Sequence, residues 1–109
     1  MTVTEWVQVA HTTDVEPGEG FQVEIDGTLI ALWNVHGTIY ATSDICTHEE
    51  SYLTDGDLWE DVIECALHGA QFDVRTGAVL SLPAVFPLPT YPVKVEGDSI
   101  YISWERAGS

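Results

Sequence analysis

Short runs that alternate apolar and polar residues, separated by Gly and Asp turns, restrict the possible folds of this chain more than any other feature. Residues 21–25 place apolar side chains at every second position, the period of a half-buried strand. The Asp26-Gly27 pair that follows is typical of a type I′ hairpin turn. Residues 28–35 are almost wholly apolar and suit a strand buried on both faces. Further strands are predicted at 6–10, 38–41, 61–65, 70–73, 91–95 and 100–104.

No stretch spaces its apolar residues as an amphipathic helix does, and 49–53 has room for one helical turn at most. The pattern therefore predicts an all-β fold, an antiparallel sandwich or barrel, and 109 residues are enough for a single domain. Between residues 43 and 89 the regularity weakens and turn residues and prolines become dense. An irregular insertion in a small β-domain is where function usually lies.

The chain is strongly acidic, with 18 Asp and Glu against 3 Lys and Arg and a formal net charge of −15. Proteins that bind nucleic acid need clustered cations to neutralise phosphates, so this class is excluded, as is binding to an anionic membrane surface. A partner, if there is one, should present a cationic face. The alternative is that the acidity serves only solubility.

Two features of the sequence indicate a cytoplasmic protein. No apolar run approaches the roughly 18 residues of a membrane span, and the first residues lack the basic and apolar regions of a signal peptide. The two cysteines, Cys46 and Cys65, then lie in a reducing compartment. There, two cysteines more often indicate metal binding or redox chemistry than a disulfide.

Each cysteine is followed closely by a histidine. Cys46 and His48 form a C-x-H motif, Cys65 and His68 form a C-x2-H motif, and 16 residues separate the two. Two Cys and two His can hold zinc, but structural zinc sites usually pair like ligands in each arm. One Cys and one His per loop is the ligand set of a Rieske [2Fe–2S] centre, in which two His replace two Cys on one iron. The histidines at 11 and 36 have no cysteine nearby in the sequence and are predicted to be solvated surface residues.

The chain resembles the Rieske-type ferredoxins of bacterial multicomponent aromatic-ring dioxygenases over nearly its whole length. The resemblance rests on Trp6-Val7, Asp26-Gly27, Ile39-Tyr40-Ala41, Cys46-Thr47-His48, Cys65-x-x-His68-Gly69, Phe72-Asp73, Thr76-Gly77, the Pro83 loop and the run Tyr91-Pro92-Val93-Lys94-Val95.

The resemblance implies a fold and a cofactor. The fold is one Rieske domain over residues 1–109, an antiparallel β-sandwich or barrel with a small cluster-binding subdomain at 43–85. The cofactor is one [2Fe–2S] cluster per chain. By the same resemblance, Cys46 and Cys65 ligate the buried iron, His48 and His68 ligate the solvent-facing iron, and the Pro83 loop covers the cluster.

The function that the resemblance implies is one-electron transport. Electrons pass from an NAD(P)H-dependent flavin reductase to a terminal, aromatic-ring-hydroxylating Rieske oxygenase, and the chain is a monomeric carrier with no catalytic residues of its own. The alternative is a Rieske-type redox subunit fixed to another oxidoreductase, such as a nitrite reductase.

Respiratory Rieske proteins resemble the motif but differ at four positions. They carry cysteines that form a disulfide where this chain has Ser51 and Leu67, and hydroxyl donors where it has Ala70 and Phe72. Fewer hydrogen bonds to the cluster sulfurs stabilise the reduced state less. We therefore expect a potential at the low end of the Rieske range, on the order of −150 mV.

The surface around the first ligand motif is predicted to be acidic. The carboxylates near this motif are Asp44, Glu49, Glu50, Asp55 and Asp57, and no Lys or Arg precedes Arg75. Such a face would steer the approach of a basic redox partner.

Overall fold

The computed structural model describes residues 2–45, 52–65, 69–81 and 86–107. Within these segments the chain is all-β, as predicted, with two single-turn 3-10 helices at Thr12–Asp14 and Leu53–Asp55. The strands are β1 (Thr2–His11), β2 (Gly20–Ile25), β3 (Thr28–Val35), β4 (Thr38–Ser43), β5 (Asp57–Trp59), β6 (Val62–Glu64), β7 (Gln71–Asp73), β8 (Val79–Ser81), β9 (Thr90–Tyr91), β10 (Val93–Glu96) and β11 (Ser99–Ala107). Neither helical turn in the described segments is long or apolar enough to cross a membrane.

These strands form three antiparallel sheets, in the orders β1-β11-β10, β2-β3-β4-β9 and β5-β6-β7-β8. In the first sheet, the earliest and latest strands pair along their length, from Thr2 opposite Ala107 to His11 opposite Ser99. The third sheet, made of four three-residue strands, is called the small sheet below.

Strand β3 lies at the centre of the fold and contributes to two hydrophobic cores. Its alternate residues Ile30 and Leu32 pack in a core with Ile100 and Ile102 of β11. Its other residues, Ala31 and Trp33, pack in a second core with side chains of the small sheet. Five consecutive residues of β3 are buried, which confirms the prediction of a strand covered on both faces.

The turn between β2 and β3 also follows the prediction. Asp26 and Gly27 have φ values of +50° and +82°, and a type I′ turn needs positive φ at both central residues. Gly tolerates this backbone without cost, and Asp is among the few other residues that adopt it readily.

Apart from the exact ends of strands, the sequence prediction differs from the structure in two respects. Strands β5 and β8 were not predicted, because three residues are too few to show a period. The run 91–95 is split at Pro92, so that β9 pairs with β4 while β10 pairs with β11. Proline has no N–H for a sheet ladder, and its carbonyl accepts the N–H of Ser103 at 3.0 Å. The helical turn allowed at 49–53 falls mostly outside the described residues.

Candidate metal centre

The four predicted ligands differ in how far the structure describes them. Cys65 belongs to the described residues, whereas Cys46, His48 and His68 lie outside them. The segments that lead into and out of both motifs are described, and they give the positions from which the two ligand loops start.

The residues on either side of the first ligand loop, which spans 46–51, lie next to each other. Ile45 and Tyr52 form an isolated antiparallel bridge across its base. One residue further out on each side, the N–H of Leu53 donates to the carbonyl of Asp44 at 2.7 Å. The N–H of Asp44 in turn donates to the carbonyl of Leu29 on β3 at 3.1 Å. The base of this loop is thereby anchored to the central sheet.

The second ligand loop connects β6 and β7 of the small sheet. The hairpin pairs Glu64 with Gln71, and the Gln71 amide donates to the Glu64 carboxylate at 3.0 Å. Beyond this pair, the N–H of Cys65 donates to the carbonyl of Ala70 at 2.7 Å. Residues 66–69 connect this pair, so the C-x2-H motif begins at Cys65, directly beyond the last paired residues of β6 and β7.

A shared core brings the bases of the two loops together. Cys65 is 1% exposed and belongs to the same buried cluster as Leu53, which follows the first loop. Behind them, Gly56 approaches β6 so closely that a Cβ on it would lie 2.1 Å from the Glu64 carbonyl oxygen. Residues beside both motifs therefore share one buried core, and the binding of one metal centre by the four side chains stays a prediction.

The surroundings of Cys65 fit an iron–sulfur ligand. Ala70 and Phe72, both fully buried, pack in its cluster and present no hydroxyl. A thiolate kept away from water beside apolar groups is suited to a buried iron whose charge offsets its own.

The segment that was expected to form a third loop, including Pro83, lies outside the described residues. The residues that follow it, from 86 onward, are described. The N–H of Leu88 donates to the carbonyl of Gly77 at 2.8 Å, and the N–H of Ser43 donates to the carbonyl of Pro89 at 2.9 Å. Leu88 and Pro89 are therefore hydrogen-bonded to the turn before β8 and to β4.

The charges near the site differ in part from the prediction. Asp55 and Asp57 are exposed, as expected, and Glu49 and Glu50 lie outside the described residues. Asp44 was expected on the acidic face, but this is wrong, because the residue has 0% exposure. The groups that donate hydrogen bonds to its side chain belong to Gln22 and Thr54, which are distant in sequence, so no local pattern predicts its burial.

Arg75, in the turn that follows β7, forms ion pairs with carboxylates of this chain. Its guanidinium lies 2.9 Å from the carboxylate of Asp61 and 3.1 Å from that of Asp73. The hydrogen bond from Arg75 is the main cause that holds the pKa of Asp73 below its usual value. Arg75 therefore offsets the charge of two carboxylates, one on β7 and one in the turn between β5 and β6.

The two remaining histidines are separate from the ligand motifs. His11 is exposed at the end of β1, and the side chain of His36 is 74% exposed and paired with Glu60. Both positions agree with the prediction of surface residues.

Comparison with known proteins agrees with this geometry. The Rieske [2Fe-2S] domain model matches residues 5–92. The biphenyl dioxygenase ferredoxin subunit of Pseudomonas sp. (strain KKS102) is 44% identical over 103 residues, covering 94% of each chain.

Two solved structures show the same fold. The Sphingomonas yanoikuyae B1 ferredoxin superposes with a TM-score of 0.87 at 34% identity, over 92% of this chain and 99% of that one. A chain of the complex of reduced oxygenase and oxidised ferredoxin in carbazole 1,9a-dioxygenase gives 0.85 at 37% identity, over 90% and 92%. This chain thus belongs to the Rieske [2Fe–2S] domain family, as a ferredoxin similar to the ferredoxin components of aromatic dioxygenase systems.

Proposed function

We propose that this Rieske ferredoxin carries single electrons from an NAD(P)H-dependent flavin reductase to a terminal aromatic-ring-hydroxylating Rieske oxygenase. The observation that supports it most is the convergence of two hydrogen-bonded loop bases on one buried core, with Cys65 inside that core. A bound [2Fe–2S] cluster supplies reversible uptake of one electron.

Four side chains are proposed as the ligands, with Cys46 and Cys65 on the inner iron and His48 and His68 on the outer iron. The burial of Cys65 supports the inner assignment. We further propose that residues 43–85 act as a cluster-binding subdomain, because both motifs and the whole small sheet fall within this range.

The protein around the site acts by holding the ligands still. The bridge between Ile45 and Tyr52 and the bond between Cys65 and Ala70 close both loops at their bases. A rigid shell of this kind keeps ligand geometry similar in both oxidation states, and buried apolar neighbours such as Phe72 exclude water. Neither task needs an acid, a base or a nucleophile, which agrees with the role of a carrier.

The partners are proposed from chemistry and from relatives. A related ferredoxin was solved in complex with its oxygenase, and the net charge of −15 suits brief encounters with basic faces. We propose a monomeric, cytoplasmic protein that does not bind nucleic acid. The alternative, a redox subunit fixed to a nitrite reductase, is less supported, because the curated relatives are ferredoxin components of dioxygenase systems.

The test begins with the purified chain. We expect two irons and two inorganic sulfides per chain, and a rhombic electron paramagnetic resonance signal after reduction, with a mean g value below that of an all-Cys cluster. Mixing with a flavin reductase, a terminal oxygenase of the biphenyl or naphthalene type and NADH should then give oxygenated product only when this chain is present. Bound zinc without iron, or full turnover without this chain, would contradict the proposal.

A further inference from the structure

A buried carboxylate lies at the base of the first ligand loop. Asp44 has 0% exposure, and its side chain accepts three hydrogen bonds. The N–H of Thr54 donates to Oδ1 at 2.8 Å, the hydroxyl of Thr54 donates to Oδ2 at 3.0 Å, and the amide Nε2 of Gln22 donates to Oδ2 at 2.5 Å. The side chain therefore connects β2, the loop entry and the loop exit.

The hydrogen bonds indicate a charged group. Within the described residues, the three groups of Thr54 and Gln22 that contact Asp44 all donate, and a carboxylate, unlike a carboxylic acid, accepts at both oxygens without a proton to place. Among the described residues, no Lys, Arg or His forms an ion pair with it. The negative charge is satisfied by hydrogen bonds but is not neutralised by a cation from that part of the chain, and burial keeps solvent from screening it.

The sequence places this charge beside the proposed metal site. Asp44 precedes Cys46 by two residues, and two peptide units span at most about 7 Å. The main chain of Asp44 is also fixed on both sides, by Leu29 and by Leu53, and Leu53 shares a core with Cys65. A buried charge at this range acts through a low dielectric and is felt more strongly than a surface carboxylate.

We propose that Asp44 is a positioning residue whose fixed negative charge lowers the reduction potential of the cluster. Adding an electron increases the negative charge near the carboxylate, so the oxidised state is favoured. The same carboxylate holds the two ends of the first ligand loop together. The inference rests on the proposed function, because it takes Cys46 as a cluster ligand.

The first experiment compares Asp44→Asn with Asp55→Asn in redox titrations of the holoprotein. Both changes remove one negative charge, but Asp55 is exposed. In Asp44→Asn the side chain can keep these hydrogen bonds if the Gln22 amide rotates to present its oxygen. The variant therefore removes the negative charge while the size of the side chain stays the same. We expect Asp44→Asn to raise the equilibrium constant for reduction tenfold, which corresponds to about 59 mV, and Asp55→Asn to raise it less than twofold. Equal shifts would overturn the proposal.

A second pair leaves the buried residue intact. Gln22→Lys places a cation at the exposed end of the Asp44 network, and Gln8→Lys adds the same charge on the exposed face of β1. We expect Gln22→Lys to raise the reduction constant severalfold more than Gln8→Lys. If Asp44→Asn does not retain the cluster, this pair decides: a larger shift in Gln22→Lys supports the proposal, and equal shifts overturn it.

The outcomes separate this inference from the proposed function. A wild-type protein that lacks a Rieske spectrum contradicts the cluster itself. A wild-type protein with the spectrum, and with potentials that do not respond to Asp44 or Gln22, contradicts only the role of Asp44.

Discussion

The ring of Phe72 packs in the same buried cluster as the side chain of Cys65, and neither is more than 1% exposed. Phe72 lies on β7 opposite Ile63, and Cys65 directly follows the strand that carries Ile63. An apolar ring thus stands where respiratory Rieske proteins have a hydroxyl donor. The surroundings of the proposed inner ligand contain fewer donors as a result.

Introducing two donors should raise the potential. In the double variant Ala70→Ser and Phe72→Tyr, new hydroxyls can bond to sulfurs that gain negative charge on reduction. A hydrogen bond to a charged group contributes about 1.5–3 kcal/mol, and ~1.4 kcal/mol corresponds to about 59 mV for one electron. We expect an upward shift of tens of millivolts by redox titration, and none in Phe21→Tyr, which changes a ring on the exposed edge of β2. An unchanged potential in a double variant whose new bonds are verified would show that solvent exposure sets the potential.

Removing any proposed ligand should remove the cluster. In Cys46→Ala, His48→Ala, Cys65→Ala and His68→Ala, we expect iron content to fall to the background level and the visible spectrum to disappear. The free energy of unfolding should fall as well, because metal binding and folding are coupled. His36→Ala, in a different turn, is the matched control and should retain both irons. A normal cluster in the His48 variant would contradict its assignment.

The pairing of His36 with Glu60 predicts a pH dependence of stability. The Glu60 hydrogen bond raises the pKa of His36 above its ordinary value of 6.5. A pKa raised in the folded state stabilises the fold below the unfolded value and ceases to do so as pH rises through the folded value. Glu60→Gln should therefore destabilise the protein more at about pH 5.5 than at about pH 8.5.

Urea unfolding at the two pH values checks this difference, and nuclear magnetic resonance titration of His36 checks its cause. Glu24→Gln, an exposed carboxylate of β2, serves as the control and should leave the His36 titration in place. An equal loss of stability at both pH values would refute the assignment.

Gly77 should be far less tolerant of alanine than Gly97. Both have positive φ, +79° and +59°, which costs an alanine about 1–2 kcal/mol. At Gly77 a Cβ would also lie 2.2 Å from the carbonyl oxygen of Leu88, whereas a Cβ at Gly97 would have no atom within 4 Å. We expect Gly77→Ala to cost about 1–3 kcal/mol more in urea unfolding. Similar losses in the two variants would mean that the Leu88 segment shifts freely.

The docking surface should respond to salt. If acidic side chains steer the encounter with basic partners, turnover of the reconstituted system should fall as salt rises from about 0.05 to 0.4 M, where screening shortens to several ångströms. Glu49→Gln with Glu50→Gln should slow oxygenase reduction with little change of potential. Salt-independent transfer together with a silent double variant would assign the acidity to solubility.

The sequence predicted the long strands and the ligand motifs because both depend on local spacing. The strand β3 is an example, with its buried run visible in eight residues. The three-residue strands and the split at Pro92 depend on which partner lies beside them, and a single sequence does not contain that information. Asp44 was misplaced for the same reason, since its donors lie 10 and 22 residues away.

The pairing of β1 with β11 sets an order of events during synthesis. Strand β1 can pair only after residues 99–107 have been made, and the sequence separation between paired residues reaches that of Thr2 and Ala107. Contacts of such long range slow folding, since much chain must be ordered before the pairing is gained. During synthesis, β1 therefore has no partner strand while the hairpins of the central and small sheets are already complete in sequence. The net charge of −15 opposes the close approach of two such strand edges from separate copies.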